Sequence, residues 1–323
     1  MTARKIIIDC DPGIDDALAL VYAHGHPGLA LAGLTTVAGN VSLDKTTANA
    51  VAIRDFLGMT GVPVVAGSQG PLLRSAIDAR DVHGESGLGQ VQLPEPATGP
   101  DPGHAADFII DQVRAAPGEI TLIAVGPLTN IALVVRRYPA LTTEVSDFVI
   151  MGGSSGRGNV TPAAEFNIAA DPEAAAIVFG AGWTVTMVGL DVTLQARADT
   201  AVRARLGTLG RLADDLMLPV IAGYRAPGPP PGGGGRAPDG PAVHDVCAVA
   251  HVAEPGLLSF TPAQVQVETA GRFTAGMTVT DFAAPAQQWN ALVATGIDVP
   301  RFWDTALDSY TRAAGALPYK SAA

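Results

Sequence analysis

The stretch IIIDCDPGIDDALAL brings Asp9, Asp11, Asp15 and Asp16 into eight consecutive positions. Like charges that close repel and raise one another's pKa, so a turn that collects them needs an offset. Three are available: the free N–H groups of a helix start, a bound cation, or open solvent. An aspartate at a helix N-terminus caps amides and suits the dipole, which accounts for Asp15 or Asp16. Capping does not reach Asp9 and Asp11, which end the preceding β-branched run and face the same turn. Carboxylates gathered this way are the oxygen donor set of a hard divalent cation, and the cation is the reading favoured here.

Two further groups of residues could do chemistry. MGGSSGRGNVTPAAEFNIAADPEAA places Asn159, Glu165 and Asn167 in a glycine-rich loop after a strand. Amides and carboxylates there suit sugar hydroxyls, since they donate and accept in fixed geometry, although each taken alone is more simply a turn residue. AVHDVC sets His244, a possible acid, beside Asp245, a possible ligand, and VHGESGLG offers His83, more ordinarily a packing residue. A strand ending in Asp-x-Asp also opens haloacid-dehalogenase-type phosphatases. Those need a downstream lysine to hold the phosphoryl group, none occurs between Lys45 and Lys320, and arginine is a poor stand-in for a compact point charge. Neither glycine-rich phosphate-cradle motif is present.

The elements that must position these residues follow from periodicity. β-branched runs end in KIIID at Asp9, LAGLTTVAGN at Asn40, ITLIAVG at Gly126, DFVIMGG at Gly153 and VTMVGLD at Asp191. Helix-like segments lie between them at 44–57, 104–115, 127–137 and 171–179. That alternation predicts an α/β fold with a mostly parallel, Rossmann-like open sheet flanked by helices. In such sheets ligands bind beyond the carboxyl ends of the strands, where these polar residues collect. Tyr224 to Asp245 breaks the pattern, with a density of proline and glycine that no helix or strand tolerates. Its composition fits a linker between domains or a loop delivering the His-Asp pair.

The chain has 323 residues, is 48% hydrophobic and carries a net charge of −11 with lysine only at positions 5, 45 and 320. Such a surface repels phosphate backbones, so a nucleic-acid polymer is not an expected partner. Cys10 and Cys247 form no disulfide framework and point to a reducing compartment. No signal-peptide profile or long apolar run is evident, so no membrane association is expected and the cytoplasm is the default.

Taken together, DCDPGIDDALAL, TTVAGN, HGESGLG, GPLTNIA, VIMGGSSGRGN, AEFNIAADPEAA, VTMVGLDVT and AVHDVCAVA, in that order, resemble the nucleoside hydrolases of the inosine–uridine-preferring family. The resemblance runs from about residue 5 to about residue 310 and implies a single domain over 1–323, with a Gly/Pro-rich active-site loop at about 225–241. It implies Ca²⁺-dependent hydrolysis of the N-glycosidic bond of purine or pyrimidine ribonucleosides, as in nucleoside salvage, by a homodimer or homotetramer. Carried over residue by residue, it makes Asp11, Asp16, Asp245 and the Val125 carbonyl ligands of Ca²⁺. Asp11 would also act as general base toward the attacking water, and His244 as the leaving-group residue. Asp15, Asn40, His83, Met151, Asn159, Glu165, Phe166 and Asn167 would contact the substrate. Relatives carry tyrosines before the His-Asp pair; here that stretch is PGPPPGGGGRAPDG, leaving Tyr224 upstream. A ribonucleoside-binding protein without turnover is the non-enzymatic alternative, and the retention of both Asp11 and His244 speaks against it.

Overall fold

A computed structural model describes residues 3–96, 98–224 and 239–318. Most of the Gly/Pro-rich segment, positions 225–238, therefore lies outside the described residues. The described strands are β1 (Arg4–Cys10), β2 (Leu29–Thr36), β3 (Val64–Ala66), β4 (Ile120–Ala124), β5 (Asp147–Met151), β6 (Val185–Val188), β7 (Leu258–Val267), β8 (Thr278–Asp281) and β9 (Ala291–Ile297). They form one sheet in the order β3-β2-β1-β4-β5-β6-β9-β7-β8. All pairs from β3 to β9 are parallel, and β7 then runs antiparallel to both β9 and β8. The expected open α/β sheet is thus observed.

β1 shows how the sequence builds this. Ile6, Ile8 and Cys10 enter one buried cluster, with Leu18, Val21 and Phe302. Ile7 enters the other, with Ile109, Ile131 and Phe148. A strand apolar on both faces must be covered on both, and helices Ile14–Gly25, His244–Ala253 and Val299–Ala316 cover the first face. Helices Ala105–Ala115, Thr129–Arg137 and Pro172–Phe179 cover the second. The first and last helices cross so closely that a Cβ on Gly25 would collide with the Ser309 carbonyl.

β1 runs one residue past its expected end at Asp9, and the other four strands stop short of theirs. β2 ends at Thr36 rather than Asn40, β4 at Ala124, β5 at Met151 and β6 at Val188. The residues beyond bend out of the ladder and carry polar groups into the space above the carboxyl ends. β3, β7, β8 and β9 carried no signal in the sequence reading, and β7 shows why, with a mixed burial pattern that lacks clean alternation.

Asn130, at the start of helix Thr129–Arg137, clips three strand ends together. Its Nδ2 donates to Asp9 Oδ1 at 2.8 Å and to the Thr36 carbonyl at 2.9 Å. Its Oδ1 accepts from the Ser68 amide and hydroxyl, both at 2.9 Å. Asn130→Ala would leave several buried polar groups unpaired at about 1–3 kcal/mol each. Unfolding in urea should therefore show a loss of about 3 kcal/mol at unchanged m-value; a loss below about 1 kcal/mol would contradict this role.

Candidate active site

The aspartate turn forms at the carboxyl end of β1, the third strand from one edge of the sheet. Pro12-Gly13 turns the chain and helix Ile14–Gly25 follows, with Gly13 as its N-cap. Asp16, the third helical residue, accepts from the Gly13 amide at 2.9 Å and the Asp11 amide at 3.2 Å. Asp11 Oδ2 accepts from the Asn40 amide at 2.7 Å, and Asn40 Nδ2 reaches the Asp11 carbonyl and Asp16 Oδ2 at 3.1 and 3.2 Å. Two glycines make room for the Asp11 carboxylate. A Cβ on Gly39 would collide with Oδ2, and one on Gly126 would stand 2.6 Å from Oδ1.

Asp245 arrives from the first turn of helix His244–Ala253. Carboxylate oxygens of Asp15, Asp16 and Asp245 all lie within 4.8 Å of one another. Asp11 stands outside that triple but beside it, and its Oδ1 is buried with no protein partner. All four are buried, at 1% exposure for Asp11, 8% for Asp15, 0% for Asp16 and 3% for Asp245. Burial and then the Asp15 charge raise Asp16 to about 7. Burial with the Asp16 charge raises Asp11 well above the carboxylate range, and burial with Asp15, Asp16 and Asp11 does the same for Asp245. Burial also raises Asp15, against the opposing pull of His244. Among the described residues no lysine or arginine forms an ion pair with any of the four. A donor set of close carboxylates with an unused buried oxygen fits a hard cation.

One expectation needs correcting. Asp9 does not face this turn. It shares the sheet face of Ile7, where Oδ1 accepts from Thr35 Oγ1 at 2.6 Å as well as from Asn130. Burial lifts it to about 7, with both hydrogen bonds opposing. Strand alternation puts residues 7 and 9 on one side, toward helix Thr129–Arg137, and the chain leaves the strand before Asp11.

The remaining predicted residues line the same end of the sheet. Asn167 Nδ2 donates to the carbonyls of Val125 and Met151 at 2.9 and 3.0 Å. Glu165 caps helix Phe166–Ala170, its oxygens accepting from the amides of Gly153, Asn167 and Ile168. Burial raises it to about 7, against those amides. Asn159 is exposed and accepts from the amide of the half-buried Phe166 at 3.0 Å. Met151 is buried. His83 Nδ1 accepts from the Ile14 amide at 3.1 Å, tying its loop to the start of the first helix. His244 is half-buried with Nδ1 2.7 Å from Thr193 Oγ1, and burial lowers its pKa despite Asp15. Tyr224 is half-buried, and burial with the Asp15 charge pushes it up to about 12. Sequence reasoning missed Thr193 and Asn130, although both stand inside quoted stretches, VTMVGLDVT and GPLTNIA.

Residues 6–304 match the family model described as inosine-uridine preferring nucleoside hydrolase. The chain is 44% identical over 313 residues to the Leishmania major inosine-uridine preferring nucleoside hydrolase, covering 96% of this chain and 98% of that protein. It is 45% identical over 298 residues to the Klebsiella pneumoniae non-specific ribonucleoside hydrolase RihC, covering 92% and 95%. Among solved structures, the purine-preferring ribonucleoside hydrolase of Gardnerella vaginalis superposes with a TM-score of 0.86 at 34% identity, covering 97% and 99%.

His83 supplies a pH test. Burial lowers its pKa from 6.5 to about 4, so between those values the unfolded chain binds a proton that the folded chain refuses. Its contribution is complete above pH 6.5 and is lost as pH falls toward 4, amounting to about 3 kcal/mol in full. The buried carboxylates act in the opposite sense, so the comparison is with His83→Gln, which keeps an acceptor for the Ile14 amide. Moving from pH 7 to pH 4.5, urea unfolding should show wild type losing about 2–3 kcal/mol relative to the variant; parallel pH profiles would refute it.

Proposed function

The chain belongs to the inosine–uridine preferring nucleoside hydrolase family, and from that premise we propose that it hydrolyses the N-glycosidic bond of purine and pyrimidine ribonucleosides with a Ca²⁺ at the carboxylate cluster. The observation that supports this most directly is the buried set Asp11, Asp15, Asp16 and Asp245, with the unpartnered Asp11 Oδ1, beside His244. In this reading the enzyme is a cytoplasmic homodimer or homotetramer working in nucleoside salvage. Among the described residues no helix is long and apolar enough to cross a membrane.

Asp11, Asp16, Asp245 and the Val125 carbonyl would hold the ion, the carbonyl having a second lone pair beyond the one Asn167 uses. Ca²⁺ there supplies positive charge that grips a vicinal diol and lowers the pKa of a nearby water. The protein's own groups carry the rest. Asp15, Asn40 and Asn167 bind the ribose hydroxyls, Asn159 and Glu165 hold the other side of the sugar, Met151 lies beneath it, and His83 and Phe166 complete the wall. Asp11 takes a proton from the attacking water, whose hydroxide part goes to C1′. The C1′–N electron pair leaves with the base, to which a ring N–H of His244 gives a hydrogen bond, and water then protonates the released base. The carboxylates stabilise oxocarbenium charge that exists only in the transition state.

Two experiments test this. Purified protein should release reducing sugar from inosine or uridine, lose that activity after exhaustive chelation, and regain it with Ca²⁺. Asp16→Asn should abolish both tight cation uptake and turnover, and full activity in the chelated protein would end the metal reading. His244→Ala should slow inosine cleavage by roughly 10²-fold or more, the scale of one group assisting a leaving group. A p-nitrophenyl riboside, whose leaving group needs no proton, should be far less affected. Equal losses on both substrates would remove His244 from the leaving-group role.

A further inference from the structure

Thr193 ends the short helix Leu190–Thr193 that follows β6 through Gly189, and it is completely buried. A helical threonine hydroxyl commonly bonds back to the carbonyl four residues earlier. Here the Thr193 amide uses the Gly189 carbonyl, while the hydroxyl turns to His244 Nδ1 at 2.7 Å. Among the described residues that nitrogen is the hydroxyl's hydrogen-bond partner. A buried hydroxyl proton is rarely left unpaired, so Thr193 donates and Nδ1 accepts.

The two residues are held at this spacing by the backbone around them. The Val243 amide donates to the Ala196 carbonyl at 2.9 Å and the Ala198 amide to the Pro241 carbonyl at 2.8 Å. Arg197 Nη1 donates to the Gly240 carbonyl at 3.0 Å, and Arg203 Nη2 to Asp239 Oδ1 at 3.1 Å. The chain is thereby pinned on the approach to His244, and the imidazole is presented from the first position of helix His244–Ala253.

We propose that Thr193 is a positioning residue: by donating to Nδ1 it holds the neutral His244 ring as the tautomer protonated on Nε2, the edge left to face the departing base. The inference rests on the leaving-group role given to His244 above. A neutral imidazole has one donor and one acceptor nitrogen, and the hydrogen bond at one fixes the other. The Nε2–H then meets negative charge developing on the base as the C1′–N bond breaks. It also bars the ring flip that would replace Nε2–H with a carbon.

The test uses the full-length enzyme and its Thr193→Val and Thr193→Ser variants. The isosteric valine should lower kcat on inosine roughly 10-fold, the worth of one hydrogen bond, with KM unchanged. Turnover of p-nitrophenyl riboside should hardly change, and serine should restore most of the loss. In ¹⁵N spectra of histidine-labelled protein, with His244→Ala identifying the resonance, neutral wild-type His244 should carry its proton on Nε2, and the valine variant should show a mixture. A wild-type proton on Nδ1, an unchanged kcat in the valine variant, or an equal loss on both substrates would overturn the proposal. The wild-type spectrum decides even if the valine variant does not fold. Wild-type protein with the Nε2 tautomer but no ribonucleoside turnover would refute the hydrolase reading and leave the tautomer lock standing.

Discussion

Asp11, Asp15, Asp16 and Asp245 repel one another in a setting from which burial has removed the water that would screen them. Burial is the first cause of every raised pKa in the cluster, and neighbouring carboxylates add to it for Asp11, Asp16 and Asp245, while His244 opposes it for Asp15. The local structure is arranged around that repulsion. Backbone amides of Asp11, Gly13 and Asn40 point at Asp11 and Asp16 oxygens. Gly39 and Gly126 let main chain approach where any side chain would intrude. Partial charges of this kind reduce the penalty without supplying a whole positive charge, and so the geometry suits a cation and, in turn, a cationic transition state.

Rigidity is the second requirement, because the carboxylates must stay close despite their repulsion. β1 lies between β2 and β4 and is packed on both faces, so its carboxyl end cannot drift. Asn130 ties that end to its neighbours from below. Opposite it, Asn167 links the carbonyls that end β5 and follow β4. Two amide side chains, Asn130 and Asn167, thus tie together the strand ends from which the site is built.

How much of this was legible in the sequence depends on whether the chemistry was local. Asp11, Asp15 and Asp16 crowd one turn, and the pair His244-Asp245 is adjacent, so both registered as chemistry. Asp9 was misplaced because sequence proximity suggested a shared turn, whereas alternation along β1 sends it to the other layer. Thr193 and Asn130 were silent because a threonine or an asparagine near a helix end has many ordinary uses, and only tertiary contact singles one out. Strand ends were set too far along because residues such as Asn40 and Gly153 follow apolar runs without a break in composition. The sheet's antiparallel end escaped because β7 is only partly buried and shows no regular period.

The close crossing at Gly25 has a consequence for how the protein is made. The first helix carries Asp15 and Asp16, and it packs against both helix His244–Ala253 and helix Val299–Ala316. During synthesis the early aspartates leave the ribosome long before their late partner. For most of that interval the apolar face of the first helix lacks its native cover, a state prone to aggregation. Asp11, Asp15 and Asp16 share the turn from the start, but Asp245 joins them only when the distant helix docks, so the full repulsion is met late. A nascent chain halted before position 245 therefore carries three of the four acids and lacks the cover that helix His244–Ala253 gives the first helix.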